Sequence, residues 1–157
     1  MEKPVQTQGQ EFPVLLQKDE NLKAEENSVL EPAGEGLVER KKVENEIYNS
    51  VIYQLEVKKA YLDPKLSLVK FSSIVGTNTT YLSNTVNRCF GVNLKTLVNR
   101  YRVGHAKRLI QELGSLSDIE EVIRASGFSS RSIFYSSFRR EVGMTPTRYL
   151  ARTFSEY

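Results

Sequence analysis

The segment from Leu66 to Arg100 recurs, with drift, from about Leu116 to Arg152. Gly76 answers to Gly127, Leu82 to Phe134, Val86 to Phe138 and Gly91 to Gly143; the offset is 51 residues at the first glycine and 52 at the second, so the second copy carries one extra residue. Self-similarity at such a period means one supersecondary unit used twice, so whatever fold is assigned to one half has to serve the other. Each copy reads as helix, glycine-containing turn, helix, the pattern of a helix-turn-helix.

Charge also divides the chain. Residues 1–44 hold six Lys/Arg against ten Asp/Glu, net −4, whereas residues 45–157 hold sixteen against nine, net +7. From Met1 to about Gly36 there is no sustained periodicity, and Gly, Pro, Glu, Gln and Asn are frequent. Such a stretch buries too little apolar surface to offset chain entropy. The expected organisation is a disordered acidic leader or linker over 1–44 and a basic domain over 45–157, an asymmetry suited to a polyanionic partner. Within the leader, Phe12-Pro13-Val14-Leu15-Leu16 is a candidate docking patch.

A single cysteine, Cys89, excludes an internal disulfide and a multi-cysteine zinc site, and its neighbours predict a buried small apolar residue. No run of eighteen apolar residues occurs, and Met1-Glu2-Lys3-Pro4 opens no signal-peptide core. No membrane segment is expected in this chain. The expected compartment is the cytoplasm, in association with the nucleoid, with membrane tethering only if the chain is a fragment of a longer sensor.

Periodicity predicts the helices. From Glu39 to Asn45 onward, Val43, Ile47, Val51, Ile52 and Leu55 share one face of a helix that stops before Leu62-Asp63-Pro64. The first helix-turn-helix, 67–90, opens with Leu68, Phe71, Ile74 and Val75 facing the core, breaks at Gly76 and resumes behind Asn78 as N-cap. In its second helix Leu82, Val86, Cys89 and Tyr81 point inward, while Thr79, Thr80, Ser83, Asn84, Asn87 and Arg88 point outward. Asn93 caps a connecting helix over 93–113 with an apolar stripe of Leu94, Leu97, Val98, Tyr101, Ala106, Leu109, Ile110 and Leu113. Its stretch from Leu94 to about Glu112 spans roughly 28 Å at ~1.5 Å per residue, close to the ~34 Å between successive major-groove openings on one DNA face.

The second copy, 117–142, opens with Ser117-Asp118-Ile119-Glu120, which fits a Ser-x-x-Glu capping box. Gly127-Phe128 makes the turn and Ser130 the cap. Ile133, Phe134, Phe138 and Val142 face inward; Arg131, Ser132, Tyr135, Ser136 and Arg139 face outward. Thr145 then caps a closing helix with Pro146 in its first turn.

The ordered run Tyr61-Leu62-Asp63-Pro64, Tyr81-Leu82-Ser83, Phe90-Gly91-Val92-Asn93, Tyr101-Arg102-Val103 with Ala106 and Leu109, Gly127-Phe128-Ser129-Ser130 with Phe134 and Phe138, and Gly143-Met144-Thr145-Pro146 with Tyr149 closely resembles the DNA-binding domain of AraC/XylS-type transcription regulators. The match covers about Ile47 to Phe154. It implies an all-α domain of seven helices, two helix-turn-helix units joined by a long connecting helix, and insertion of the third and sixth helices into adjacent major-groove segments.

Carried over by motif position, the family's base-reading places fall on Thr80, Ser83 and Asn84 in the first unit and on Arg131, Ser132, Tyr135 and Ser136 in the second, residues that periodicity also turns outward. Arg131 is the leading candidate, because a guanidinium can make two hydrogen bonds to guanine O6 and N7; Asn84 can pair similarly with adenine. Lys70, Thr79, Arg88, Lys95, Ser130, Arg139 and Arg140 are the candidates for the phosphate backbone, which would make binding salt-sensitive. Arg102 is expected to brace the two units through a carboxylate such as Glu120 or Glu121, and Phe128 to lie in the core. His105, the one histidine, has no second ligand or nucleophile beside it and reads as a packing or surface residue.

The expected function is that of a sequence-specific regulator on double-stranded DNA, with RNA polymerase as a further candidate partner. The competing expectation is an output or protein-interaction module of a larger sensor regulator whose sensory part is absent from this chain. No phosphate-cradling glycine loop, metal-ligand cluster or His-paired nucleophile occurs, so no enzyme, metal or cofactor is expected, and no small-molecule site is evident.

Overall fold

The computed structural model describes residues 34–155, and everything below concerns the compact unit that begins at Gly34. The expected leader up to residue 33, with its Phe12–Leu16 patch, lies outside the described residues. Seven α-helices and no strand occur among the described residues: α1 Glu35–Ile52, α2 Leu68–Val75, α3 Thr79–Phe90, α4 Leu94–Leu113, α5 Ile119–Ala125, α6 Arg131–Val142 and α7 Pro146–Phe154. α1 runs on into a π-helical turn, Tyr53–Val57, and Lys59, at φ 52°, turns the chain into a 3-10 turn at Ala60–Leu62.

α1 starts at Glu35, ahead of the expected Glu39 to Asn45. Residues 35–44 are exposed almost throughout and so carry no apolar period, yet they are rich in Glu, Arg and Lys, which extend an existing helix at little cost. The helix starts after the turns follow sequence chemistry closely. Asn78, Asn93, Ser130 and Thr145 each accept from the backbone N–H three residues on, and Pro146 occupies the first turn of α7. The box expected at Ser117 is shifted by one residue. A 3-10 turn at Gly114–Leu116 delays the start of α5, so Asp118 caps it through the Glu120 N–H at 2.9 Å, while the Ser117 hydroxyl donates back to the Gly114 carbonyl at 2.6 Å.

Two apolar cores form, and α4 serves both. The first gathers Ile47 and Val51 of α1, Leu55 of the π-helical turn, Tyr61, Phe71 of α2, Leu82 and Val86 of α3, and Leu94, Leu97 and Val98 from the start of α4. The second gathers Val103, Ala106 and Ile110 from the rest of α4, Val122 and Ile123 of α5, Phe128, and Phe134 and Phe138 of α6. α4 is 20 residues long, roughly 30 Å at ~1.5 Å per residue.

Several side chains expected inside are exposed: Val43, Ile74, Tyr81, Cys89, Leu113 and Ile133. On three of these helices smaller polar residues are buried instead, Ser72 in α2, Thr85 in α3 and Ser137 in α6, each nearly fully buried. A helix packed closely on its neighbours favours a small side chain there over a bulky one. At the end of α3, Phe90 stacks on Tyr48 at 5.4 Å, and the Cys89 thiol is left outside.

The two cores meet at Arg102. Its Nε donates to the Tyr61 carbonyl at 2.7 Å, its Nη2 to the Asp63 carbonyl at 2.8 Å and its Nη1 to Asn99 Oδ1 at 3.3 Å, and its guanidinium lies 5.7 Å from the Phe128 ring centroid. Arg102 therefore braces the units as expected, though through backbone carbonyls and not through Glu120 or Glu121. Burial pulls the guanidinium below its ordinary pKa, with Asp63 opposing the shift. Gly127 completes the seam: a Cβ built there would stand 2.5 Å from the Tyr61 carbonyl oxygen, so the second turn lies directly on the backbone of the first unit.

Candidate nucleic-acid interface

Both turns end their first helix in the same way. The Thr77 N–H reaches back five residues to the Ser72 carbonyl at 2.9 Å, and the Phe128 N–H reaches back five to the Ile123 carbonyl at 3.1 Å, a glycine-assisted stop that satisfies the last helical carbonyls. The caps then restart the chain, Asn78 Oδ1 accepting from the Tyr81 N–H at 2.9 Å and Ser130 Oγ from the Ile133 N–H at 3.4 Å. α3 and α6 are thus equal in length, 12 residues each, and start behind the same kind of cap.

On α3, Thr80 and Asn84 are exposed at i,i+4 spacing and Ser83 is half-buried beside them. Tyr81, expected inside, is exposed and adds an aromatic ring to this surface. A groove of about 330 Å³ separates α3 from α1, lined by Val43, Glu44, Ile47, Tyr81, Asn84 and Arg88. Arg88 is tied across that groove to Glu44, Nη1 to Oε2 at 3.0 Å. Asn84 and Arg88 therefore stand at the edge of α3 that faces α1.

On α6, Arg131, Ser132 and Ser136 are exposed and Tyr135 is half-buried. Arg131 lies over the Tyr135 ring at 5.1 Å, donates to its hydroxyl at 3.3 Å, and pairs through Nη1 with Glu120 Oε1 of α5. The Ser136 hydroxyl turns back to the Ile133 carbonyl at 3.1 Å. The polar outer faces were readable from periodicity; the carboxylate on Arg131 was not, since eleven residues and a turn separate the partners.

The expected phosphate-contacting residues fall on exposed or half-buried positions. Thr79 and Ser130 stand half-buried at the starts of α3 and α6, and Lys95 is exposed in the first turn of α4. Lys70 of α2 pairs with Asp63, and that contact together with the Lys65 N–H holds the Asp63 carboxyl below its ordinary pKa. Arg140 bonds Glu141 Oε1 at 3.1 Å, and Arg100 of α4 reaches Glu141 Oε2 at 3.3 Å, while Arg139 is exposed in the last turn of α6. Exposed pairs of this kind are worth ~0–1 kcal/mol each.

His105 packs edge-on to Tyr61 at 6.0 Å and lies 3.5 Å from Arg108; burial, then Arg108 and Lys59, pull its imidazole below the ordinary value. Those contacts are the packing role expected of it. Among the described residues no cluster of His, Cys, Asp or Glu could hold a metal ion, and no helix is long and apolar enough to cross a membrane.

A helix-turn-helix domain family matches residues 71–152. The probable transcriptional regulator LumQ of Photobacterium leiognathi is 33% identical over 113 residues, 72% of this chain and 44% of that protein. The HTH-type transcriptional regulator ExsA of Pseudomonas aeruginosa is 33% identical over 95 residues, 60% of this chain and 33% of that protein. The chain thus spans less than half the length of these relatives. In fold it is similar to the C-terminal domain of AraT, a response regulator from Geobacillus stearothermophilus, with TM-score 0.57 and 21% identity over 69% of this chain and 84% of that one. It is also similar to a protein of unknown function from Listeria innocua, with TM-score 0.58 and 24% identity over 68% and 95% of the two chains. With its two matched helix-turn-helix units carried on one shared helix, the chain belongs to the AraC/XylS family.

Proposed function

We propose that this domain binds double-stranded DNA sequence-specifically, with α3 and α6 as recognition helices in adjacent major-groove segments, and that it thereby regulates transcription. The observation that carries the proposal is the pair of capped helices of equal length, each with a polar group of outward residues, carried on one shared α4. Thr80, Ser83 and Asn84 on α3, and Arg131, Ser132, Tyr135 and Ser136 on α6, are the proposed base readers. Lys70, Thr79, Arg88, Lys95, Ser130, Arg139 and Arg140 are the proposed phosphate contacts. Action is by binding and not by catalysis: the family is one of transcription regulators. RNA polymerase is the proposed second partner and the nucleoid-containing cytoplasm the proposed compartment.

Selection of bound duplexes from a random library, followed by footprinting of the selected site, tests this reading. Protection over roughly two helical turns of one DNA face is expected. Equal affinity for selected and random duplex at physiological salt would overturn it.

A second reading is favoured by one observation, that the curated relatives are more than twice as long as the part this chain matches. In that reading the domain is the output end of a larger regulator. It predicts DNA binding whose strength depends on a partner or an attached domain, measurable by titrating the domain alone against the longest natural form of the protein.

A further inference from the structure

Glu120 stands where no DNA-binding residue is expected, an acid on the approach to the proposed reading face. It belongs to α5, with half its side chain exposed, and its Oε1 takes Nη1 of Arg131 in the first turn of α6. The third member is Tyr135, one turn along α6, whose ring lies 5.1 Å from the same guanidinium and whose hydroxyl accepts from Nη2 at 3.3 Å. Arg131 is thereby held at both of its terminal nitrogens. Glu121, the next residue, is also exposed but makes no ion pair with Arg131.

Resting on the DNA-binding reading above, we infer that Glu120 is a specificity-determining residue: it keeps Arg131 from serving as a general phosphate contact and releases it only to a base edge that replaces what Glu120 supplied. An unpaired arginine beside DNA is attracted to any phosphate, and that attraction is blind to sequence. A guanidinium already carrying a carboxylate gains little from exchanging it for a phosphate of like charge. A guanine offers two acceptors in the plane of the fork while Arg131 keeps its place over the Tyr135 ring, and only a G·C pair also presents a cytosine N4 amine to the displaced Glu120 carboxylate. The acid therefore weakens binding to random sequence more than binding to a site with guanine at the Arg131 position. Glu120 also becomes free to turn to solvent or to accept from a cytosine N4 amine.

The experiment compares the wild-type chain with Glu120→Gln, Glu121→Gln, Arg131→Ala and the double variant Glu120→Gln/Arg131→Ala, on the best selected duplex and on random duplex, across a salt series. Glu120→Gln is expected to tighten random-duplex binding about fivefold, the ratio that ~1 kcal/mol for an exposed pair corresponds to, and the selected site less than about twofold. The salt slope on random duplex is expected to steepen by about one unit, as for one added phosphate contact. Glu121→Gln is expected to tighten both duplexes alike, and in the Arg131→Ala background Glu120→Gln is expected to leave selectivity unchanged. Equal tightening on both duplexes by Glu120→Gln, or loss of selectivity that persists without Arg131, would overturn the inference while leaving DNA binding intact. If the wild-type chain shows no preference for any duplex, it is the proposed function that fails.

Discussion

Gly76 and Gly127 hold the same place in the two helix-turn-helix units and the same left-handed backbone, φ +80° and +81°. A Cβ on Gly76 would meet open space, whereas one on Gly127 would stand 2.5 Å from the Tyr61 carbonyl oxygen and 2.8 Å from the Leu62 Cα. The first turn needs glycine for its backbone alone. The second needs it also because the first unit's backbone lies against it. A motif copied twice has thus acquired a second duty in one copy only, and that duty is to join the copies. The outer faces diverge in the same way: α3 presents short polar side chains beside the Tyr81 ring and an edge tied to α1, while α6 presents a guanidinium stacked on tyrosine and held by an acid.

The sharpest way to break this comparison is to substitute both glycines. Gly127→Ala is expected to cost about 4 kcal/mol or more, combining a left-handed alanine with backbone overlap, and Gly76→Ala about 1 kcal/mol from conformation alone. Denaturant unfolding of the two variants measures the gap, and equal losses would mean the seam contact at Gly127 carries no energy.

Arg102→Met probes the same seam from the other side. Leaving the Tyr61 and Asp63 carbonyls without their donor is expected to cost about 3 kcal/mol, read as a lowered unfolding midpoint. A smaller loss would show that water takes over both carbonyls.

The reading faces are separated by affinity. Arg131→Ala is expected to cost ~1–3 kcal/mol on the selected site and less on random duplex, and Asn84→Ala less than about 1 kcal/mol, because Asn84 stands at the α1 edge of its helix. The reverse order in a binding titration would make α3 the principal reader.

The caps give the smallest difference. Asn78→Ala is expected to cost about 1 kcal/mol and Ser130→Ala about 0.5 kcal/mol, following the 2.9 Å and 3.4 Å bonds they make, as resolved by thermal melts.

Caps were legible in the sequence because a cap is a local event: Asn78, Asn93, Ser130 and Thr145-Pro146 need only their next three residues. Asp118 displaced Ser117 because a preceding 3-10 turn, not written in the box motif, moved the start of α5. The exposure of Thr80, Asn84, Arg131, Ser132 and Ser136 was also legible, as the complement of an apolar stripe, whereas Ser83 and Tyr135 are half-buried. What hydrophobicity misjudged were positions where size decides: Tyr81 and Ile133 lie outside, while Thr85 and Ser137 lie inside against close neighbours. Arg102 was recognised as a brace, but its partners across the seam are main-chain carbonyls, which every residue possesses and no sequence pattern marks.

α4 is shared between the two cores, and that sharing has a consequence for synthesis. A chain made from its N-terminus completes α4 before α5 and α6 exist, so Val103, Ala106 and Ile110 have nothing of their own core to pack on until α5, Phe128 and α6 emerge. The first unit can close over Leu94, Leu97 and Val98 while the rest of the same helix trails a bare apolar stripe, a surface on which nascent chains aggregate. Any product ending between the copies keeps that stripe uncovered permanently, so the duplication, once joined by one helix, can no longer be undone by truncation.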